Sequence, residues 1–371
     1  MSWTDWTFDL GMALALVYLW VVSSWRRPHP SPTPTPSPFQ SPFSVIVACR
    51  NETARLDGLL DGLASQTLRP QSILFVDDNS TDGTAEKLRA WAAAHPELNA
   101  QIISSAGDGK KAALATGFAA LPEPVTHVLL TDADALPGND WCAGWGATIA
   151  AHSETALFIG EVRIAEGAGW RGAVERTEWV AMMNWAAATT ERGRPANASG
   201  ANLMVRREAW LSANLRGEWA SGDDVFLAQT LAQSNPTAVR WAADPRTATQ
   251  VPPAGNWREL VAQRARWGRK SVAYPDRAAA ATAALVVAMN LAMFPAALAG
   301  AWPVLAVKAL ADFAATRRNA SNPSPSLSPS PSPSLSPFLL SFPFVVAAAL
   351  IQAYVLPRTV RWKGRPVTKS R

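Results

Sequence analysis

Three long stretches without a charged residue constrain the architecture of this chain more than any other feature. They cover residues 10–25, 278–307 and 338–356, and a helix that spans a membrane needs roughly 17–25 mainly apolar residues. Only 17% of the residues are charged and 48% are hydrophobic, whereas a typical soluble domain has about 25% charged residues. These properties favour a membrane protein over a soluble one.

The first stretch is interpreted as a membrane anchor. A cleaved secretory signal begins with a basic region, but this stretch follows two acids, Asp5 and Asp9, and precedes Arg26 and Arg27. Because basic residues flank membrane helices on the cytoplasmic side, the N-terminus is predicted to lie outside and the following segment in the cytoplasm. The two cysteines lie far apart and outside any Cys/His cluster, which agrees with a reducing compartment.

The second and third stretches leave the number of membrane spans open. Pro295 and Pro303 are expected to kink or break a helix in the second stretch, because proline lacks the amide hydrogen that a helix interior requires. Residues 305–313 are interrupted by Lys308 and Asp312, and they are compatible with a further span, a re-entrant segment or an interfacial helix. The sequence therefore predicts three or four spans in the plasma membrane.

The excess of positive charge is confined to the C-terminus. The formal net charge of +5 comes from 34 basic and 29 acidic residues, and residues 358–371 contain six basic residues and no acid. The remaining 357 residues carry 28 basic and 29 acidic side chains, which argues against a nucleic-acid-binding face. The basic tail follows the third apolar stretch directly, so it is expected in the cytoplasm as well.

Proline-rich segments separate the other parts of the chain. Residues 28–42 contain seven prolines and residues 323–343 contain seven more. Alternating Ser-Pro sequence forms neither a helix nor an interior strand, so extended linkers are predicted, with an SH3-type ligand as the less favoured alternative. The predicted segments are an anchor at 1–27, a linker at 28–42, an α/β domain at 43–274, membrane or interfacial helices at 275–316, a Ser/Pro-rich loop at 317–337, a membrane helix at 338–357 and a basic tail at 358–371.

The α/β domain is predicted because residues 43–274 alternate between short apolar runs and helical patterns. The predicted strands are 44–48, 73–76, 100–104 and 125–131, and the clearest helix runs from 84 to 94. Strands that alternate with helices form a parallel sheet with right-handed crossovers. Since ligands of such sheets bind beyond the carboxyl ends of the strands, functional residues are expected there.

Four carboxylates follow two of the predicted strands. Asp77 and Asp78 come at the end of the second strand, where they can accept hydrogen bonds from a base or a ribose; ordinary loop chemistry is the alternative. Asp132 and Asp134 follow the fourth strand as a D-x-D sequence. Because side chains at i and i+2 of an extended chain point the same way, both are expected to bind one divalent cation that also takes phosphate oxygens. An Asx-type turn at the end of the strand is the alternative.

Two further motifs open helices. Lys110 follows Gly109 at the start of an apolar helix, where it is expected to meet a diphosphate, although the spacing differs from a Walker A motif; a solvent-exposed loop is the alternative. Asp223 and Asp224 begin another helix. Acids in a first turn are favoured by the helix dipole alone, so this motif by itself does not decide between structure and catalysis.

A third helical motif lies close to the second apolar stretch. Gln263, Arg266 and Trp267 are spaced i, i+3 and i+4 and therefore share one face of a helix. Arginine suits an anionic phosphate, and tryptophan offers a flat surface to a sugar ring or an acyl chain. An interfacial membrane helix is the alternative, and both interpretations can hold because the helix has more than one face.

Taken in order, these motifs resemble the family 2 glycosyltransferases, which are membrane-associated inverting enzymes with a GT-A fold. That fold is α/β, with a mostly parallel nucleotide-binding sheet flanked by helices. The resemblance covers roughly residues 43–274. The motifs that carry it are Ser-Val-Ile-Val-Ala-Cys-Arg-Asn-Glu at 44–52, Asp-Asp-Asn-Ser at 77–80, Gly-Lys at 109–110, Asp-Ala-Asp at 132–134, Gly-Ala-Asn-Leu-Met-Val-Arg-Arg-Glu at 200–208, Gly-Asp-Asp at 222–224 and Gln-Arg-Ala-Arg-Trp at 263–267.

The resemblance implies a role for every candidate residue. Those expected to bind the nucleotide sugar are Asp77, Asp78, Lys110, Asp132, Asp134, Gln263, Arg266 and Trp267. Among them, Asp132 and Asp134 would also bind Mn²⁺ or Mg²⁺. Asp224 would act as the general base, and Asp223 and Trp267 would face the acceptor.

The function that the resemblance implies is transfer of a sugar from a nucleotide-diphosphate sugar, with a UDP-sugar as the expected donor. The acceptor would be a hydroxyl of a lipid or a membrane-held molecule in the bilayer, with no nucleic acid involved and a role in the cell envelope. Gly-Asp-Asp replaces the Thr-Glu-Asp of polymer synthases, which disfavours a processive polysaccharide synthase. A nucleotidyltransferase and a non-catalytic membrane scaffold are two rival interpretations of the same sequence.

Overall fold

The computed structural model describes residues 3–28, 43–215, 219, 222–317, 335–356, 361–362 and 365–366. The predicted linkers at 28–42 and 317–337 and the basic tail at 358–371 therefore lie largely outside the described residues. In the tail, two short strands are described, Arg361–Trp362 and Arg365–Pro366, and they pair antiparallel.

The strands of the α/β domain form two sheets. In chain order they are β1 Phe43–Cys49, β2 Ile73–Asp77, β3 Ala100–Ser104, β4 His127–Asp132, β5 Leu136–Pro137, β6 Leu157–Ile159, β7 Val162–Ile164, β8 Leu203–Arg206, β9 Val239–Trp241 and β10 Thr249–Val251. The main sheet has seven strands in the order β3-β2-β1-β4-β8-β6-β9, and a small sheet has the order β5-β10-β7. In the main sheet, β8 runs antiparallel to β4 and β6, while the other neighbouring strands are parallel. The predicted mostly parallel α/β fold is therefore confirmed.

Helices cover the sheet and extend beyond it. They are α1 Trp3–Ser23, α2 Asp57–Ala64, α3 Thr84–Ala94, α4 Lys110–Ala120, α5 Trp141–Ala151, α6 Gly169–Thr190, α7 Arg207–Ser212, α8 Asp223–Ser234, α9 Trp257–Ser271, α10 Arg277–Leu298, α11 Trp302–Thr316 and α12 Leu335–Leu350, which continues as the π-helical turn Ile351–Val355. The predicted helix at 84–94 and strand at 100–104 match α3 and β3 residue for residue.

Two apolar layers hold the helices against the main sheet, because successive residues of a strand point to opposite faces. On β1, Val45 and Val47 belong to the layer that contains Trp141 of α5. The intervening Ile46 belongs to the opposite layer, with Phe118 of α4. Each fully buried side chain of this kind contributes about 1.5–3 kcal/mol, so the two layers fix α4 and α5 on opposite faces of the sheet.

Three helices among the described residues are long and apolar enough to span a membrane: α1 from Asp5 to Ser23, α10, and the segment Leu335–Val355. They correspond to the three uncharged stretches of the sequence. Large apolar side chains on them are exposed, among them Trp20 and Leu298, as expected for helices that face lipid.

The second apolar stretch is divided between α10 and α11. Pro295 lies inside α10, which continues to Leu298, and Pro303 lies in the first turn of α11, where a missing amide hydrogen is tolerated. The break therefore falls between the two prolines, at residues 299–301, where Gly300 has a φ of +64°. The second stretch is therefore interrupted, and the interruption lies between Pro295 and Pro303 and not at either proline.

The two charges that interrupt residues 305–313 are buried between α11 and α1. The side chains of Lys308 and Asp312 are 0% and 1% exposed and form an ion pair, and the Tyr18 hydroxyl donates to Asp312 Oδ1 at 3.0 Å. A buried charge requires a partner, and here α11 carries both members of the pair. At 15 residues, α11 is shorter than the three candidate spans.

A second buried ion pair connects the end of α1 to the α/β domain. Arg27 Nη1 lies 2.7 Å from Glu161 Oε1, and Arg163 of β7 donates from Nε to the same oxygen at 3.0 Å. Burial opposes the charge on Glu161, but the two guanidinium groups outweigh this effect and hold the pKa of Glu161 well below its usual range. Of the two arginines that follow the first apolar stretch, Arg26 is exposed and Arg27 is used inside the protein.

Replacing Glu161 with glutamine is expected to lower the free energy of unfolding by about 3–5 kcal/mol, because the buried Arg27 and Arg163 would both lose the carboxylate charge that pairs with them. Denaturant unfolding of the solubilised protein at pH 7 measures this. Since the folded-state pKa of Glu161 is depressed, its stabilisation is fully present above the ordinary value of 4.5 and is lost as the pH falls through the depressed pKa. The difference in the free energy of unfolding between wild type and E161Q should therefore shrink as the pH falls below 4.5.

The matched control is Glu154→Gln. Glu154 is exposed and pairs with Arg206 at 3.4 Å, and an exposed pair contributes about 0–1 kcal/mol. An equal loss of stability in both variants would contradict the assignment of Glu161 as the buried connection.

Candidate active site

The site lies where the carboxyl ends of β2 and β4 meet the first turns of α4 and α8. Lys110 begins α4 and Asp132 ends β4, and the Lys110 Nζ donates to Asp132 Oδ1 at 2.5 Å. Burial opposes the charge of Lys110, but Asp132 and Asp223 outweigh it and raise the pKa of the lysine above its ordinary value. The structure therefore brings three of the predicted motifs together around one charged lysine.

The neighbouring carboxylates at the end of β2 have different surroundings. The Asp78 carboxylate is buried, and both of its oxygens accept from the Gly109 amide at 3.1 and 3.2 Å. Asp77 Oδ2 accepts from the Ser80 amide at 3.3 Å, but its buried Oδ1 has no hydrogen-bond partner among the described residues. Asp78 therefore fixes the loop before Lys110, and Asp77 keeps a buried acceptor that a ligand can satisfy.

The D-x-D residues do not lie in an extended chain, which corrects the expectation from the sequence. Asp132 is the last residue of β4, and the chain then turns, with the Ala135 amide donating to the Asp132 carbonyl at 3.1 Å. Asp134 lies in this turn, and its Oδ2 is 3.8 Å from Arg55 Nη1. Both carboxylates are half-buried, so they remain accessible to a ligand.

A divalent cation fits the chemistry of these two side chains. Carboxylate oxygens are the donors that Mg²⁺ and Mn²⁺ take, and two of them lie at the edge of the sheet. The described part of the chain contains no group of three or more His, Cys, Asp or Glu side chains that could hold a metal ion. A cation at Asp132 and Asp134 would therefore need further oxygen ligands from a bound phosphate group.

The helix α8 begins at Asp223, directly after Gly222, and the sequence predicts a helix start at this Gly-Asp-Asp motif. Asp224 Oδ2 accepts from the Gly200 amide at 3.2 Å, and its Oδ1 accepts from the Val225 amide at 2.8 Å. Burial alone would raise the pKa of Asp224, but Lys270 and Lys110 outweigh it, and the pKa lies below its ordinary value. Asp224 is therefore ionised at neutral pH.

The pKa of Asp223 is shifted in the opposite direction. Burial raises its pKa above the ordinary value, and the adjacent charge of Asp224 adds to this effect against the opposing charge of Lys110. A β-carbon placed on Gly200 would lie 2.8 Å from Lys110 Nζ and 3.9 Å from Asp223 Oδ2. Gly200 thus allows the lysine and the two carboxylates to occupy one small space.

The helix α9 presents the predicted Gln263, Arg266 and Trp267. Arg266 makes no hydrogen bond or ion pair with any residue described in the structure, and burial lowers its pKa to about 10, with a contribution from the charge of Arg264. It therefore stays charged at neutral pH with its donors free for an anion. The Gln263 side chain accepts a hydrogen bond from the Arg264 guanidinium, so Gln263 is engaged within the helix.

Two residues of α9 that the sequence did not single out are buried in ion pairs. Arg264 donates to the Glu178 carboxylate of α6 at 2.6–2.9 Å and lies 4.4 Å from the ring centre of Trp267. Lys270 lies 3.4 Å from Asp224 Oδ1. Lys270 follows Arg266 by four residues and Trp267 by three, so helical spacing alone could have identified it, whereas the partner of Arg264 depends on the packing of α6.

The family comparison agrees with this arrangement. Residues 44–210 match the family model described as Glycosyl transferase family 2. This range includes β1 to β8 and the motifs at Asp77, Lys110 and Asp132, and it ends before α8 and α9. A search of curated proteins finds no match.

One solved glycosyltransferase shares the fold, and others have lower similarity to it. The mannosyltransferase PcManGT from Pyrobaculum calidifontis, in complex with GDP-Man and Mn²⁺, has a TM-score of 0.59 and 18% identity, covering 94% of this chain and 97% of that chain. TarS 1–349 from S. aureus, in complex with UDP-GlcNAc, has a TM-score of 0.42 and 16% identity over 68% of this chain and 72% of that chain. Glucosyl-3-phosphoglycerate synthase from Mycobacterium tuberculosis has a TM-score of 0.41 and 17% identity over 63% and 81%.

The family model and the fold lead to the same assignment. The match includes six of the seven strands of the main sheet, and the likeness to the mannosyltransferase extends over 94% of this chain. Residues 44–210 therefore match the family 2 glycosyltransferases, and the chain has a fold of the GT-A type.

Proposed function

We propose that this protein is a membrane-bound, metal-dependent inverting glycosyltransferase that moves a sugar from a nucleotide-diphosphate sugar to a hydroxyl of a lipid or membrane-held acceptor. The observation that carries the proposal is the cluster formed by Lys110, Asp132, Asp223 and Asp224 at the carboxyl end of the sheet. In this proposal, Asp224 takes the acceptor proton, and the diphosphate is bound by Lys110 and by a divalent cation on Asp132. Residues 43–274 are proposed as the catalytic domain, on the cytoplasmic side of the plasma membrane.

The nucleoside is assigned to Asp77. Its Oδ1 is buried and accepts no hydrogen bond from the described residues, and a base or ribose offers N–H or O–H donors to such an oxygen. Asp78 is instead given the role of holding the loop that presents Lys110, since its carboxylate already accepts from Gly109. The sequence indicated both Asp77 and Asp78 as candidates for binding the nucleotide sugar, whereas the nucleoside is here assigned to Asp77 alone.

Replacing Asp77 with asparagine is expected to weaken nucleoside diphosphate binding about 10–100-fold, because a hydrogen bond to a charged group contributes about 1.5–3 kcal/mol. Calorimetric titration of the solubilised protein with UDP and with GDP measures the change. Asp61→Asn, an exposed position on α2, is the control and should bind like wild type. Equal affinities for D77N and wild type would remove Asp77 from the nucleotide site.

The diphosphate is assigned to Asp132, Asp134, Lys110 and Arg266. Asp132 and Asp134 would hold Mn²⁺ or Mg²⁺, and such an ion supplies charge neutralisation of the leaving diphosphate. Lys110 and Arg266 bring two positive charges that suit phosphate oxygens. Among the arginines of α9, Arg266 is assigned this role because its guanidinium makes no hydrogen bond with a described residue, whereas that of Arg264 pairs with Glu178.

Asp224 is proposed as the general base. In the transfer step, the acceptor oxygen forms a bond to the anomeric carbon on the face opposite the diphosphate, and the bond from that carbon to the diphosphate oxygen breaks. The acceptor proton moves to the Asp224 carboxylate. The depressed pKa of Asp224 keeps this carboxylate ionised and ready to accept the proton, and Asp223 lines the acceptor side.

A membrane-held acceptor is supported by the packing of α9. Ala265 of α9 packs with Ala349 and Ala353 of the third candidate span, and the Tyr354 hydroxyl donates to the Gly268 carbonyl at 3.1 Å. The helix that carries Arg266 and Trp267 is therefore joined directly to an apolar helix. Trp267 is assigned to the acceptor, for which its ring provides an apolar surface.

Release of a nucleoside diphosphate tests the proposal. The purified protein, with Mn²⁺ and a membrane lipid extract, should release UDP or GDP from one member of a panel that contains GDP-mannose, UDP-glucose and UDP-N-acetylglucosamine. GDP-mannose is included because it is the donor in the complex of the similar mannosyltransferase. Release of pyrophosphate would favour a nucleotidyltransferase, and the absence of both binding and turnover would favour a non-catalytic scaffold.

A further inference from the structure

Lys270 is a buried lysine that the proposed reaction does not yet use. It lies in the last turn of α9 and is only 7% exposed. Its Nζ is 3.4 Å from Asp224 Oδ1. A buried lysine is stable in its charged form only when a counter-charge compensates for the loss of water, and the Asp224 carboxylate is the nearest one here.

Three elements converge on the Asp224 carboxylate. The Val225 amide belongs to the first turn of α8, the Gly200 amide to the segment before β8, and Lys270 to α9. The two amides are backbone groups and do not depend on side-chain identity. Lys270 contributes a full positive charge and ties the carboxylate to α9.

Gly222 provides the space for this lysine. Its φ is +97°, and a β-carbon there would lie 2.9 Å from Phe226 Cε2 and 3.1 Å from Lys270 Cδ. The glycine of the Gly-Asp-Asp motif therefore permits both the left-handed turn into α8 and the approach of the Lys270 stem. The motif and the lysine form one packing unit, although they are 46 residues apart.

Other charges face the pair from three elements. Asp223 lies beside Asp224 on α8, Lys110 and Lys111 approach from α4, and Tyr274 follows α9. Lys110 is already engaged by Asp132, and Lys111 acts on Asp223 and donates to the Leu215 carbonyl at 2.6 Å. Among these cations, Lys270 is the one that donates directly to Asp224.

We propose that Lys270 is a positioning residue that keeps Asp224 ionised and oriented for proton transfer from the acceptor. The inference rests on the proposed role of Asp224 as the general base. Lys270 also connects the diphosphate side of the site with the acceptor side, because Arg266, which is assigned to the diphosphate, lies one turn before Lys270 on the same helix. A diphosphate held by Arg266 would then fix α9 in the position in which Lys270 reaches Asp224.

The test compares Lys270→Met with Lys270→Arg in the full-length protein. The rate of nucleoside diphosphate release with Mn²⁺ and membrane lipid extract is measured as a function of pH, using the donor that the wild type turns over. In K270M, kcat at pH 7 should fall about 10–100-fold, because Lys270 no longer orients the Asp224 carboxylate. The acidic limb of the pH profile should also move upward by about one pH unit or more, since an opposite charge of this kind depresses an aspartate pKa by about 1–3 units. K270R should retain the acidic limb of the wild type.

Nucleotide affinity separates positioning from folding. K270M should bind UDP or GDP like wild type, because Lys270 pairs with the proposed general base Asp224 and is given no role in nucleotide binding. If K270M loses binding, K270Q replaces it, with the same expected shift of the acidic limb. Arg269→Met, which removes the adjacent cation of α9, is the control and should keep the wild-type pH profile.

The outcomes are distinguishable from failure of the proposed function. A wild type that turns over no nucleotide sugar rejects the glycosyltransferase proposal itself. An active wild type with an unchanged rate in K270M, or with a lower rate and an unmoved acidic limb, rejects the role of Lys270 alone.

Discussion

Replacing Asp224 with asparagine is expected to reduce sugar transfer about 10²–10⁴-fold, the usual contribution of a general base, while nucleotide binding stays close to that of the wild type. The asparagine side chain keeps the size of the aspartate and can still accept from the Gly200 amide, but it cannot take the acceptor proton. Initial rates of nucleoside diphosphate release, together with calorimetric titration of the same preparation with UDP and GDP, measure both effects.

Asp223→Asn is the matched variant. Asp223 lies one residue away, but its pKa is raised by burial and by the charge of Asp224, so it is the less ionised of the two at a given pH. D223N should therefore lose less activity than D224N. The reverse order would move the base to Asp223, and wild-type turnover in D224N would remove Asp224 from the mechanism.

Removal of the divalent cation is expected to reduce the rate of sugar transfer by about as much as the Asp224→Asn substitution does. Stabilisation of a developing charge by a metal ion contributes several kcal/mol, which corresponds to a fall in rate of about 10²–10⁴-fold. EDTA treatment of the wild type should give this loss, and added Mn²⁺ or Mg²⁺ should reverse it. Asp132→Asn should give a comparable loss that the same concentration of cation does not restore.

The comparison requires a control for loss of carboxylate charge. Asp61→Asn, on the exposed surface of α2, should keep both the wild-type rate and the wild-type dependence on Mn²⁺. An EDTA-treated wild type that retains full turnover would contradict a metal role for Asp132 and Asp134.

The first four strands of the main sheet could be predicted from sequence because their signals are local, whereas β6, β8 and β9 were not predicted. The predicted strand 73–76 differs from β2 by one residue, and strand 125–131 differs from β4 by two residues at its start and one at its end. Short apolar runs bounded by turn residues define such strands without knowledge of their neighbours. The alternation of strands and helices then indicated the parallel sheet and the edge at which the carboxylates meet.

The partners of the charged side chains could not be predicted in the same way. Nothing local distinguishes Asp77 from Asp78, and their difference arises because the Gly109 amide reaches Asp78 in the folded chain. Arg27 looked like a membrane-flanking residue, yet it is paired with Glu161, which follows it by more than a hundred residues. Both contacts depend on tertiary packing, for which the sequence spacing carries no signal.

At the D-x-D motif, the backbone of the structure differs from the backbone expected from the sequence. The extended geometry expected for Asp132 and Asp134 requires that β4 continue through both residues, but the strand ends at Asp132 and the Ala135 amide closes a turn. Strand ends are the least certain part of a pattern-based prediction, since the same residues suit a strand or a turn. Both carboxylates still lie at the predicted edge of the sheet.

The central claim is that a sugar moves from a nucleotide to an acceptor in the membrane with inversion at the anomeric carbon. Incubation of the wild-type protein with a nucleotide sugar labelled in the sugar, Mn²⁺ and membrane lipid extract, followed by solvent extraction and NMR of the product, tests this directly. We expect the label in the lipid phase, one sugar per acceptor, with the anomeric configuration opposite to that of the donor, and no such product from D224N. Label in a long water-soluble polymer, or a product that retains the donor configuration, would contradict this account.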